Sequence, residues 1–196
     1  MNNFFVEFGS SDFDTLIPLA SNGWGGIVVE PVIQYLENLK RYDSVIYENI
    51  ALCSYDGETS FIYYDKSLPA SEDDGHLNWV KGVGTDNLEH NHMISNPQWK
   101  EYERVITIDC LTLDSLLEKH KISAVDFMKV DVEGNEYSIF SNYSWNIKPT
   151  MIKMETNHWE DKGVYYRENI KELMFDMLKK NGYIIWEENY DLYAIR

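Results

Sequence analysis

The residues that could do chemistry cluster where apolar runs end. Over Asp126-Phe127-Met128-Lys129-Val130-Asp131-Val132-Glu133-Gly134-Asn135-Glu136, an apolar run carries Lys129 and Asp131 at alternate positions, then Glu133 and Glu136 just past it. Alternation puts Lys129 and Asp131 on one face of a strand, where charge is costly unless it is paired or used. Two readings fit: a structural ion pair with Gly134 turning the chain, or carboxylates set to take a proton or hold a ligand. Val6-Glu7-Phe8-Gly9-Ser10-Ser11-Asp12 ends another β-prone run on one glycine, which permits close backbone approach or simply makes a tight turn. Glu30-Pro31 ends the next apolar run. An acidic side chain there can accept from both ribose hydroxyls of a nucleoside, or can cap a helix with Pro31 at its first position. Met154-Glu155-Thr156-Asn157-His158 adds a carboxylate and an imidazole, the side chain best matched to proton transfer near neutrality, though a lone histidine after a strand is as often a surface residue.

Those positions need elements to hold them. β-prone runs fall at 4–8, 26–30, 44–53, 59–64, 105–111, 126–132, 150–155, 183–187 and 190–195. Helical signals lie between them: 14–20; Val32, Tyr35, Leu36 and Leu39 at helical spacing; 113–120; 135–140; and the Ile170, Leu173, Met174, Met177, Leu178 stripe. Asp56-Gly57 reads as a hairpin turn before Thr59–Tyr64. Alternating strands and helices predict an α/β domain with a mostly parallel sheet, and the closing pair around Glu188-Asn189 brings in antiparallel pairing at one edge. In such sheets ligands bind beyond the carboxyl ends of the strands, where Gly9, Glu30, Asp131 and Glu155 fall. Residues 65–104 break the rhythm: polar, with Pro69, Pro97, His76, His90 and His92, they predict a lid or binding loop. His90-Asn91-His92 reads as an ordinary solvated pair rather than metal ligands.

The chain has 196 residues, with 33 acidic against 17 basic side chains and a formal charge of −16. That length predicts one domain over 1–196. The charge argues against nucleic acid, which demands concentrated positive charge, and against an anionic membrane surface. Two cysteines, Cys53 and Cys110, are too few for a disulfide framework. With no basic leader and no transmembrane-length apolar run, a cytoplasmic protein is expected.

The run Asp126-Phe-Met-Lys-Val-Asp-Val-Glu-Gly-Asn-Glu136 resembles the D-x-x-K-x-D-x-E-G-x-E hallmark of FkbM-type S-adenosylmethionine-dependent methyltransferases. Val6-Glu7-Phe8-Gly9 is similar to that family's first motif, and Val28-Val29-Glu30-Pro31 to its x-x-E-P second motif. Asn49-Ile50-Ala51-Leu52-Cys53-Ser54-Tyr55-Asp56-Gly57 is similar to its N-x-A-L-x-x-x-x-G segment. Thr112, Leu113, Asp114 and Leu116 match its T-L-D-x-L element, and Met154-Glu155 with His158 resembles the end of its fifth strand. The similarity runs through nearly the whole chain in order. The Lys129–Gly134 block is specific; the other segments support it only in combination.

The resemblance implies a Rossmann-like class I methyltransferase fold, with a mostly parallel seven-stranded sheet and an antiparallel C-terminal hairpin. It implies S-adenosylmethionine as methyl donor and oxygen methylation of a sugar, glycan or small-metabolite hydroxyl. By motif, Glu7, Gly9 and Ser10 would border the methionine part, with Ser11 and Asp12 beside them. Glu30 with Pro31 would hold the ribose. Leu52 and Cys53 would lie near the adenine, and Asp131 would face the transferring methyl. The candidate bases are Asp131, Glu133, Glu155 and His158. No metal is assigned, although Asp131 and Glu155 sharing a divalent ion is the alternative. The sequence departs from the family at Ser11-Asp12-Phe13-Asp14, where a further glycine is usual. There Phe13 would narrow the pocket, or Asp12 would compensate by contacting the cofactor's amino group. The chain starts almost at the first strand, without the helix that often precedes it in the family, which makes 65–104 the candidate lid. Two other readings remain: a nicotinamide-dependent oxidoreductase, against which the missing three-glycine loop speaks, and a non-catalytic cofactor-binding domain.

Overall fold

A computed structural model describes residues 3–11, 15–65, 67, 84–86, 100–156 and 169–196. The chain runs β1 (Phe4–Phe8), a 3-10 helix (Ile17–Asn22), β2 (Gly25–Val29), α1 (Ile33–Asn38), β3 (Val45–Glu48), β4 (Ala51–Leu52), β5 (Gly57–Tyr64) and β6 (Gly84–Thr85). It continues through a short 3-10 turn (Lys100–Tyr102), β7 (Glu103–Leu111), α2 (Leu113–Lys119), β8 (Phe127–Val130), α3 (Glu136–Ser141), β9 (Met151–Glu155), α4 (Ile170–Lys180), β10 (Ile184–Glu188) and β11 (Asp191–Ile195).

Seven strands form the main sheet in the order β10-β11-β9-β8-β1-β2-β3. β11 is antiparallel to both neighbours, and the other pairings are parallel. β1 lies inside the sheet between β8 and β2 with both its faces covered, and its sequence is correspondingly near-continuous in apolar residues. One face packs on α2, α3 and α4 through Leu113, Leu116, Leu117, Ile139, Phe140, Met174 and Leu178. The other packs on Ile17, Leu36 and Leu39. This is the α/β architecture with an antiparallel C-terminal hairpin that the sequence predicts. No helix among the described residues is long and apolar enough to cross a membrane.

Two local expectations fail. Asp56-Gly57 does not close a hairpin. The run 44–53 splits between two sheets, β3 lying beside β2 and β4 beside β7. β5 pairs instead with β7, from Gly57↔Cys110 to Tyr64↔Glu103. The Asp56 carboxylate accepts from Thr112 N (2.7 Å) and Ser115 Oγ (2.7 Å), which ties the bend to the start of α2. The result is a second, four-stranded sheet, β4-β7-β5-β6. It is covered on one side, so β7 alternates: Val105, Thr107 and Asp109 face out while Ile108 and Cys110 are buried. That inner face packs on Val32 and Tyr35, and Tyr35 donates its hydroxyl to the Tyr64 carbonyl (2.9 Å). The helix expected over 14–20 is a 3-10 helix from Ile17, with Pro18 in its first turn and Gly23 (φ +83°) ending it. Asp14 lies outside the described residues.

Candidate active site

The parallel strands point their carboxyl ends the same way, and the loops that follow β1, β2 and β8 meet there. After β1, Gly9 adopts φ +69° and donates its amide to the Val29 carbonyl (3.1 Å). A Cβ on it would lie 1.6 Å from the Asp131 carbonyl oxygen. Only glycine fits a backbone pressed this closely against the loop after β8. Ser11 (φ +45°) and Glu133 (φ +54°) also sit in the left-handed region, where a residue with a Cβ is strained.

Glu30 is buried and anchors two loops. Its Oε2 accepts from Ser11 N and its Oε1 from Val32 N, each at 2.8 Å. Val32 is the N-cap of α1, so Glu30 steadies that helix start while facing the cleft. The capping and ligand-holding readings are therefore compatible, since each carboxylate oxygen can accept more than one hydrogen bond. Asn49 donates to the Glu30 carbonyl (2.9 Å) and the Pro31 carbonyl (2.8 Å), fixing the next loop.

The cleft between these loops encloses about 520 Å3 of space, its open mouth included. One end is an apolar slot of Val32, Leu52 and Phe61, and Asp86 brings a carboxylate to it. Asp86 accepts from Cys53 Sγ (3.3 Å) and from Asn135 Nδ2, and burial pushes its carboxyl up. Gly84 lets β6 lie over β5, since a Cβ there would strike the Phe61 ring at 2.5 Å. Asp86, Asn135 and Phe61 are cleft residues that sequence reasoning missed. The nearest signal is Gly84 within an otherwise polar stretch.

Asp131 lines both this cleft and a second one of about 560 Å3, open mouth included, with Lys129, Lys153, Glu155, Tyr190 and Asp191. Lys129 is buried, its Nζ 3.7 Å from Asp131 and 3.8 Å from Glu7. The parallel register Glu7↔Lys129 sets that placement. One carboxylate oxygen each from Asp131, Glu133 and Glu155 lies within 4.8 Å of the others. The Asp131 carboxyl is pushed well above the ordinary carboxylate range, first by withdrawal from water, then by the neighbouring Glu133 and Glu155 charges, with the Lys129 ammonium opposing them. The loop carrying Glu133 is held by buried Glu136, whose Oε1 accepts from Val132 N (3.3 Å) and Gly134 N (3.4 Å).

Of the predicted cofactor residues, Gly9, Glu30, Pro31, Leu52 and Asp131 line the first cleft. Glu7 stands behind its wall instead. The side chain is fully buried, and its carboxylate accepts from Thr15 Oγ1 (2.6 Å) and Leu16 N (3.0 Å). Its work is to order the chain after the first loop. Cys53 is likewise set back and reaches the cleft only through Asp86. Burial, then the Asp86 charge, push its thiol up. Ser10 and Ser11 are buried beside Gly9. Among the predicted bases, Glu133 lines the first cleft and Glu155 the second. Asp12 and His158 lie outside the described residues.

The fit of an adenosyl group with an amino-acid tail can be tested on these atoms. The apolar slot beside the Asp86 carboxylate suits a purine, and Glu30 suits a diol. Ser11 Oγ is buried with no hydrogen-bond partner among the described residues, and a buried hydroxyl needs one. The residues fit.

Residues 3–185 match the family model described as the methyltransferase FkbM domain. No curated protein matches the chain in sequence. Among solved structures, the fibrillarin/Nop5p complex is similar at 12% identity and a TM-score of 0.44, covering 98% of this chain and 71% of that one. A Staphylococcus aureus protein assigned as a caffeoyl-CoA O-methyltransferase is similar at 10% identity and a TM-score of 0.47, covering 99% and 76%. Likenesses at that level carry no weight on substrate.

Proposed function

The chain belongs to the methyltransferase FkbM domain family, and on that premise we propose that it is an S-adenosylmethionine-dependent O-methyltransferase acting on a hydroxyl of a sugar, glycan or small metabolite. The observation that carries the reading is Asp131, a carboxylate with raised proton affinity lining both clefts at once. S-adenosylmethionine supplies an electrophilic methyl carbon on a sulfonium leaving group. The chain's residues do the rest. Glu30 would hold the ribose, Val32, Leu52 and Phe61 would take the purine, and Asp86 would accept a hydrogen bond from it. Ser11 Oγ and the Gly9 loop take the methionine end. Asp131 would take the proton of the acceptor's hydroxyl, and the donor, when bound, would supply the methyl group and leave as a neutral thioether. A hydroxyl is a poor nucleophile, so a positioned base contributes about 10²–10⁴-fold; alignment of the reacting atoms supplies most of the remainder. The domain is read as single over 1–196, and most of the 65–104 stretch expected to carry a lid lies outside the described residues.

Calorimetric titration with S-adenosylmethionine and S-adenosylhomocysteine tests the reading. Binding of both is expected, with Asp86→Ala weakening it about tenfold through one lost hydrogen bond to a buried amine. Absence of heat with either ligand would overturn it.

A further inference from the structure

The second cleft contains one group that neither the fold nor the methyl donor accounts for. Tyr190 sits at the tip of the two-residue turn between β10 and β11, where Glu188 pairs with Asp191. Its ring is 69% exposed, yet its backbone is pinned. The Tyr190 carbonyl accepts from Thr156 N (2.7 Å) and Thr156 Oγ1 (3.0 Å), and Asn189 before it takes the left-handed conformation (φ +57°) that such turns require. A large, exposed aromatic side chain on a pinned backbone thus lines the same cleft as Asp131.

The rest of the cleft restricts what can lie on that ring. Both its lysines are engaged: Lys129 faces Asp131 at 3.7 Å, and Lys153 faces Asp191 at 3.1 Å. Glu155 adds a further carboxylate. Among the described residues that line this cleft, no cation is left uncompensated for a phosphate or carboxylate on the acceptor. Close-set ammonium and carboxylate groups instead offer donors and acceptors suited to neutral hydroxyls.

We propose that Tyr190 is the platform for the acceptor, and that it selects a neutral, polyhydroxylated ring whose C–H face lies on the phenol ring while one hydroxyl reaches Asp131. This rests on Asp131 being the reacting end of the site. An aromatic ring on a C–H face is a shape-selective contact. It sets which acceptors bind and leaves the methyl donor's cleft untouched.

The test is saturation-transfer NMR with methyl β-glucopyranoside, methyl β-galactopyranoside and methyl α-rhamnopyranoside, on the protein saturated with S-adenosylhomocysteine, for the parent, Tyr190→Ala, Tyr190→Leu and Tyr190→Phe. At least one glycoside is expected to receive saturation at its ring C–H protons. Its affinity should fall about tenfold in Tyr190→Ala and Tyr190→Leu and stay within about threefold in Tyr190→Phe, with S-adenosylhomocysteine affinity unchanged throughout. Two results would overturn the proposal: glycoside binding equal in Tyr190→Ala and the parent, or no glycoside bound by the parent. Glycoside binding that depends on Tyr190 in a protein that binds no S-adenosylhomocysteine would instead refute the methyltransferase reading and leave this subsite standing.

Discussion

Asp131 owes its chemistry to neighbours that no single segment supplies. Lys129 comes from its own strand, Glu133 from the loop beyond it, and Glu155 from the adjacent strand. Replacing it with asparagine keeps the shape and removes the base. Asp131→Asn is therefore expected to lower kcat by about 10²–10⁴-fold while S-adenosylhomocysteine affinity holds within about threefold. A variant that kept full rate would refute the role. The pH profile follows from the raised proton affinity. The parent's rate should climb as pH rises through the Asp131 value and then level off, and that limb should vanish in Asp131→Asn. Stability runs the other way. A carboxyl whose folded value lies above its unfolded one binds protons more tightly in the native state, so its contribution is complete at acid pH and is lost as pH rises through the folded value. Melts of the ligand-free parent and Asp131→Asn should converge at low pH and separate in the variant's favour as pH rises. At this scale the sequence was partly legible. The charged pair in an apolar strand marked the place, and the ion-pair reading holds, with Lys129 Nζ 3.7 Å from Asp131. Asp86 was not legible, because nothing in a polar, aperiodic stretch says which residue will fold back over Phe61.

The loops after β1 and β8 approach backbone to backbone, with the Gly9 Cα set against the Asp131 carbonyl. Gly9→Ala meets both a contact of 1.6 Å and an unfavourable φ of +69°. It is expected to lower the melting temperature by about 5 °C or more and to weaken S-adenosylhomocysteine by at least about tenfold, as the cradle is pushed open. A melt and a titration matching the parent would show that the loops can part freely. The elements themselves were largely readable. Buried strands such as β1 and β2 announce themselves as apolar runs closed by Gly9 and Pro31, and α4 by its apolar stripe and terminal Asn181-Gly182. The second sheet was not. β5 and β7 are separated by the interval 65–104, and alternation within each reveals a half-covered strand without naming its partner. Asp56-Gly57 carried a turn signal, but Thr112 and Ser115 claimed the aspartate.

The two sheets share one ligand edge. The main sheet supplies Gly9, Glu30 and Asp131, and the second supplies Leu52, Phe61 and Asp86, so the cleft is a seam between them. A ligand there should fasten both sides. S-adenosylhomocysteine at a hundred times its Kd is expected to stabilise the fold by about 2.7 kcal/mol and to slow amide exchange in 51–64 and 103–111 as well as in 4–11. Slowing confined to the main sheet would mean that the second sheet takes no part in binding. Some of the −16 charge noted at the outset has a place on this edge, in Glu30, Asp86, Asp131, Glu133 and Glu155. The interior position of β1 also governs the order in which the molecule can assemble. Phe4 reaches across to Asp126, 122 positions downstream, to complete the contact between β1 and the strand beside it. During synthesis, the first strand must therefore wait beside β2 with one edge unpaired until β8 has emerged. The first cleft does not exist before that pairing, so no ligand of it can template early folding, and the growing chain is exposed to edge-to-edge association until β8 has emerged.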